Sequence, residues 1–379
     1  VSQAEADMKE LTINIVYKYM EQDESSVASL ADQRTRVIWS RREVPEADVY
    51  FYVNSYSYTR RCPHHRGKWK MLFLSEPLCV YPLQYRKCVW KQFDFVFTWN
   101  DFLEHPRFIQ IRRPNCGYPM APNYALDRWY QEPVADVSDE DLLKRPKAIC
   151  MINNNKRSLI PGELYSLRRE IAEWFHFDGH IPFDAYASIP FNLPNYVGEA
   201  ENKMETFKKY RFSLCFENLY LAKWSNGYVT EKIFDSFFAL TVPIYYGCYN
   251  VERYLPLNCI IDYRKFESFE KLRSYLENMP DREYLDYVRA IQRFMSEYDY
   301  SHELHWNHVY GIIVELVQKV EDNPGLLDEW KKIPLPPDYL QTVGSFREKF
   351  LFRVSNLLLR FPGLARAGMK GIRFLERLC

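Results

Sequence analysis

The residues best suited to chemistry lie within 211–247, RFSLCFENLYLAKWSNGYVTEKIFDSFFALTVPIYYG. Glu217 and Asn218 close one apolar run, and Thr230, Glu231 and Lys232 open another. Thr230 is a good N-cap and Glu231 suits the positive end of a helix dipole. Lys232 in the same first turn is unfavourable by about 0.3–1 kcal/mol unless an anion lies close. A bound phosphate removes that conflict, because helix N–H groups and the Lys232 ammonium would face it together. Taken alone, the two residues also suit a solvated first-turn lysine.

The elements that position these groups follow from periodicity. Phe212–Phe216 is an apolar run that reads as a buried parallel strand, ending where such strands present ligand-binding residues. Ile233, Phe234, Phe237, Phe238 and Leu240 recur at helical spacing, so a helix begins near Glu231. Residues 241–246 form the next strand, with Pro243 near its start. Upstream, 147–152 is a strand that leads into Asn153-Asn154-Asn155-Lys156, either an anion-facing loop or an ordinary turn. An amphipathic helix over 163–177 carries Arg168 on its apolar face and Arg169 on the opposite one, so Arg168 needs a partner there. Residues 178–195 read as loop, 258–263 as a strand, and 268–279 and 281–298 as helices.

The first part of the chain shows the same alternation. Strands are expected over 11–17, 48–53, 70–74 and 93–97. Glu76 follows the third of these directly, and Asp101 and Glu104 lie just beyond the fourth. His64 and His65 sit in a basic turn-rich segment, and adjacent side chains that point apart suit a loop better than a metal site. Asp139-Glu140-Asp141 has the DxD form of a metal-binding motif, but Ser138 ahead of it makes it an N-capped acidic first turn. His302, His305 and His308 recur every third residue, which suits a surface or interdomain helix better than zinc.

A chain of 379 residues with 47% hydrophobic content can bury two cores. Equal numbers of acidic and basic residues, 50 of each, argue against nucleic acid as the main partner. The 29 Tyr and 25 Phe suit sugar faces, although most must be core. Nine Cys without CxxC spacing read as reduced thiols with no zinc site. No apolar stretch reaches the roughly 18–20 residues that span a bilayer, and no signal peptide is recognisable.

Phe216-Glu217-Asn218, Gly227-Tyr228-Val229-Thr230-Glu231-Lys232-Ile233 and Val242-Pro243-Ile244-Tyr245-Tyr246-Gly247 together resemble the donor-binding signature of the α-1,3/4-fucosyltransferases, glycosyltransferase family 10. The resemblance implies an α/β fold of GT-B architecture: two Rossmann-like domains facing across a cleft, followed by a C-terminal helical tail. Expected boundaries are 1–146 for the acceptor domain, 147–320 for the donor domain and 321–379 for a Pro-rich linker and basic tail. The segment FDFVFTWNDFL resembles the family's acceptor-side pattern and puts the catalytic base on Asp101, where the family's usual residue is Glu. Glu76 and Glu104 stand as further candidates for the base.

By the same resemblance GDP-fucose is the donor, and no metal or other cofactor is expected. Arg168 matches a diphosphate clamp; with Lys232 and the amides after Thr230 it would offset charge on the leaving group. Glu231 would hold the fucose, while Glu217, Asn218 and Tyr228 would line the donor site. The implied reaction is a single displacement that inverts GDP-β-L-fucose to an α-L-fucoside on a GlcNAc-containing glycan, α-1,3 in the first place. A transferase of the same fold using another nucleotide sugar, or a non-catalytic glycan-binding relative, are the alternatives. The expected setting is the bacterial cytoplasm. Residues 346–379 hold eight Lys/Arg against two Glu among Phe, Leu and Ile, so this tail is expected to lie on the anionic inner face of the plasma membrane or to pack on the body of the protein.

Overall fold

The computed structural model describes residues 10–20, 23–30, 33–54, 68–113, 137–299 and 303–360. His64, His65, His302 and the tail beyond 360 lie outside them. Two α/β units follow one another. The first holds a seven-stranded sheet in the order β2-β3-β1-β4-β5-β6-β7. Its strands are β1 (Leu11–Val16), β2 (Glu24–Leu30), β3 (Gln33–Ser40), β4 (Val49–Val53), β5 (Trp69–Leu74), β6 (Phe95–Thr98) and β7 (Phe108–Gln110). All neighbours pair in parallel except β2 with β3. β4 and β6 are buried on both faces, as the run of apolar residues in each demands.

The second sheet has six strands, all parallel, in the order β10-β9-β8-β11-β12-β13. These are β8 (Ile149–Ile152), β9 (Phe183–Tyr186), β10 (Tyr196–Gly198), β11 (Phe212–Phe216), β12 (Val242–Tyr246) and β13 (Ile261–Asp262). Strand order runs outward from β8 in one direction and from β11 in the other. The crevice between β8 and β11 is therefore the topological switch point, where open α/β sheets bind ligands. Its helices are α1 (Asp139–Lys144), α2 (Tyr165–Asp178), α3 (Lys203–Phe207), α4 (Glu231–Phe238), α5 (Phe269–Asn278) and α6 (Asp281–Glu297). The two Rossmann-like sheets are those expected from the sequence.

The remaining helices return to the first unit, and here the expected boundaries need correction. Helix α7 (Trp306–Glu321), which a donor domain ending at 320 would include, packs on the first sheet. Trp306 meets Trp39 edge-on at 4.8 Å, and Trp39 Nε1 donates to the Tyr310 hydroxyl at 2.7 Å. The segment read as a linker is not extended chain. It forms α8 (Leu326–Lys332) and α9 (Tyr339–Thr342), followed by α10 (Phe346–Arg360). Asp338 caps α9 and pairs with Arg86 at 3.1 Å, and Tyr339 stacks on Phe352. The segment read as loop over 178–195 contains β9, a strand of only four residues.

Candidate active site

The site grows from the end of β11. Glu217 is fully buried and accepts hydrogen bonds from the Thr230 N–H at 2.9 Å and the Thr230 hydroxyl at 2.8 Å. It also pairs with Lys232 Nζ at 3.2 Å. Thr230 caps α4 by accepting from the Lys232 N–H, so one carboxylate pins both the cap and the lysine that follows it. Gly247, just after β12, is required by this packing: a Cβ there would stand 2.2 Å from the Glu217 Cβ.

Lys232 is not a solvated lysine. Its side chain is 14% exposed and lies between Glu217 and Glu231, with Nζ 3.3 Å from Glu231 Oε1. Burial pulls its ammonium toward neutrality, but these two carboxylates outweigh burial and hold its pKa above the ordinary value. The first-turn conflict is thus relieved by neighbouring acids. Glu231 behaves reciprocally: burial alone would raise its carboxyl, yet Lys232, Arg113 and Lys203 hold it well below the usual range.

Arg168, on α2, is 2% exposed. One terminal nitrogen donates to the Phe216 carbonyl at 2.5 Å and to Asn218 Oδ1 at 3.0 Å, while its Nε is buried without a hydrogen-bond partner. Asn218 Nδ2 in turn donates to the Tyr228 hydroxyl at 3.2 Å. Tyr228 is 1% exposed, and its ring lies 4.5 Å from that of Trp99 on the first unit. Tyr228 therefore sits in the seam between the sheets. Gly227 makes that seam possible, since a Cβ there would stand 2.2 Å from the Trp99 carbonyl oxygen and its φ is +74°.

Asp101 also lies in the seam. Its Oδ2 accepts from Asn250 Nδ2 at 2.7 Å, Arg253 at 2.9 Å and the Tyr254 hydroxyl at 2.7 Å; its Oδ1 accepts from Asn226 at 3.1 Å. Burial first, and then Asp101, push the Tyr254 phenol up, which keeps it a donor. Glu104 is exposed, and Glu76 occupies a different position. Its backbone is held at the end of β5 by Asn54, Gln84 and Tyr85, and its side chain reaches Arg113 at 3.5 Å. The other arm of the Arg113 guanidinium lies 2.5 Å from Glu231 Oε2.

Sequence reasoning missed Arg113 and Lys203. The available signal for Arg113 was a basic doublet, Arg112-Arg113, immediately after a short apolar strand. Lys203 begins α3 and pairs with Asp235, which is 1% exposed. Asn153, Lys203 and Lys232 line one cavity beside α4. The acidic triplet at 139–141 is the capped turn expected, with Ser138 accepting from the Asp141 N–H. Among the described residues no group of three His, Cys, Asp or Glu could hold a metal ion.

Residues 168–326 match the family model for the C-terminal part of glycosyltransferase family 10 (fucosyltransferase). An α-(1,3)-fucosyltransferase of Helicobacter pylori is 35% identical over 134 residues, covering 32% of this chain and 27% of that protein. A human 3-galactosyl-N-acetylglucosaminide 4-α-L-fucosyltransferase is 27% identical over 195 residues, covering 46% and 50%. The chain thus spans half or less of the length of these curated relatives. A solved α1,3-fucosyltransferase with GDP superposes at a TM-score of 0.47 with 18% identity, over 79% of this chain and 93% of that one. The matched region contains α2, the Glu217 strand end and the Thr230-Glu231-Lys232 turn, and it is this part of the chain that is similar to glycosyltransferase family 10.

Proposed function

We propose that this chain is an inverting fucosyltransferase that moves L-fucose from GDP-β-L-fucose to a hydroxyl of a GlcNAc-containing glycan, α-1,3 in the first place. The observation that carries this reading is the pair of cations flanking Glu217 at the switch point. Lys232 lies at the start of an N-capped helix, and Arg168 is buried with its Nε unpartnered. Such a cluster suits a diphosphate. The family-model match over 168–326 and the fucosyltransferase relatives support fucose as the sugar.

Chemically, a base removes the acceptor hydroxyl proton while that oxygen attacks the anomeric carbon, and the bond to the diphosphate oxygen breaks on the opposite face. The electron pair of that bond leaves with GDP, where Lys232, Arg168 and the α4 amides offset its charge without moving far. Glu231 faces the sugar. For the base we assign Glu76 rather than Asp101. Both oxygens of Asp101 are engaged by donors from the second unit, whereas the Glu76 carboxylate is directed toward Glu231 across the cleft through Arg113. The reaction is proposed to need no metal.

Nucleotide-sugar turnover in EDTA tests this reading, with GDP-fucose, GDP-mannose and UDP-sugars each offered against galactose- and N-acetylglucosamine-terminated acceptors. GDP-fucose turnover is the expected result; strict metal dependence or a UDP-sugar donor would overturn it.

The helix α10 bears on the setting. Phe346, Phe350 and Leu357 are 82%, 52% and 50% exposed, and Arg347 and Arg353 are exposed beside them. We propose that this face, together with the basic residues that the sequence carries up to 377, meets an anionic membrane surface on the cytoplasmic side of a bacterial cell. Co-sedimentation with phosphatidylglycerol vesicles should fall when Phe346, Phe350 and Leu357 are replaced together by Ser, and unchanged binding would remove the proposal.

A further inference from the structure

We propose that Arg113 is a counter-ion that exchanges partners when the nucleotide sugar enters: it bridges Glu76 and Glu231 beforehand and turns to the donor's diphosphate afterwards. This rests on the donor reading above. Arg113 follows β7, at the carboxyl edge of the first sheet, and its side chain is 15% exposed. Its two terminal nitrogens divide between the units, one 2.5 Å from Glu231 Oε2 and the other 3.5 Å from Glu76 Oε1. The guanidinium thus spans the two acids assigned to the sugar and to the acceptor proton.

That position cannot persist through transfer. The anomeric carbon must lie between an acceptor oxygen beside Glu76 and a diphosphate beside Lys232. Positive charge develops there as the bond to the leaving oxygen lengthens, and a fixed guanidinium at that place would oppose it. The donor itself brings the alternative partner. A diphosphate near Lys232 carries oxygens that an arginine fork engages as well as it engages carboxylates. Exchange then does two things in one movement: it adds a cation to the leaving group, and it frees Glu76 to meet the acceptor hydroxyl only once the donor is in place. Lysine would serve less well, since its three donors share one nitrogen, whereas the guanidinium divides its donors between separate nitrogens, one for each acid.

Isothermal titration with GDP and steady-state kinetics on the full chain, compared for wild type, Arg113→Gln and Arg113→Lys, test this. Arg113→Gln should weaken GDP binding by at least tenfold, raise the donor KM and lower kcat, and Arg113→Lys should recover part of each. A purely structural role would lower the melting temperature of Arg113→Gln while leaving the GDP Kd and both kinetic constants within twofold of wild type, and that result overturns the inference. Wild-type protein that binds no GDP would overturn the donor reading and this inference together. Wild-type binding that the glutamine variant matches would overturn this inference alone.

Discussion

Glu231 and Lys232 were readable as a candidate site because cap, acid and base occupy one turn, and local chemistry alone showed that a cation there needs an anion. Arg113 was not, because its partner Glu231 lies 118 residues away and only the fold brings them together. Asp101 likewise depends on the fold. An acid shortly after a strand invites a catalytic role, but the donors that engage it come from 226–254, on the other unit. Glu76→Gln should lower kcat/KM by about 10²–10⁴-fold while GDP affinity stays near wild type in a titration. Lys232→Ala or Arg168→Ala should each cost about 10²-fold or more in the same parameter. The depressed Glu231 carboxyl also predicts an acid limb of stability. The unfolded chain protonates this group near its ordinary value of 4.5, while the folded chain resists until lower pH. The unfolded state therefore binds more protons, so the contribution is complete above that value and is lost as pH falls through the folded pKa. Urea melts from pH 6 down to 3 should show a shallower decline for Glu231→Gln than for wild type.

At the level of elements, the strands that hold the site were visible because a strand buried on both faces is a continuous apolar run, as in β4 and β11. β2 was hidden: ESSVASL is largely polar, and it pairs antiparallel at the sheet's edge. β9 was hidden by its length and by the prolines around it. Helix α4 illustrates what periodicity does not reveal. Its apolar face was evident, but Asp235 on the same helix is 1% exposed and paired with Lys203, and its Oδ1 has no hydrogen-bond partner. Burial works against the Lys203 ammonium, yet Asp235 holds its pKa above the ordinary value. Lys203→Met strips a buried carboxylate of this cation and should destabilise the protein by about 3–5 kcal/mol. The double variant Lys203→Met, Asp235→Leu should recover much of that loss, since no buried charge then remains. A denaturant series on the two variants checks both statements.

For the whole molecule, local pattern could say that 306–321 is a helix with an apolar face but not which sheet it covers; Trp39, Phe51 and Phe73 on the first sheet supply the surface that Trp306 fills. The chain therefore crosses from the first unit to the second and back, and the carboxyl ends of the two sheets meet at a seam made by Trp99, Tyr228, Gly227 and Asp101. The seam sets the distance between Glu76, just after β5, and Lys232 on α4, so its geometry should control catalysis without touching substrate. Gly227→Ala is the sharpest probe. The added Cβ would stand 2.2 Å from the Trp99 carbonyl oxygen, a backbone atom that cannot swing away, and it would sit at a φ of +74° that alanine adopts at a cost of roughly 1–2 kcal/mol. The two units must then part or tilt. kcat should fall by about 10²-fold, because catalysis is sensitive to misplacements on the order of 1 Å. GDP affinity should fall by no more than the loss of Arg113 produces, since Lys232, Glu217 and Arg168 all belong to the second unit. Loss of GDP binding in step with kcat would instead mean that the seam supports the donor site itself.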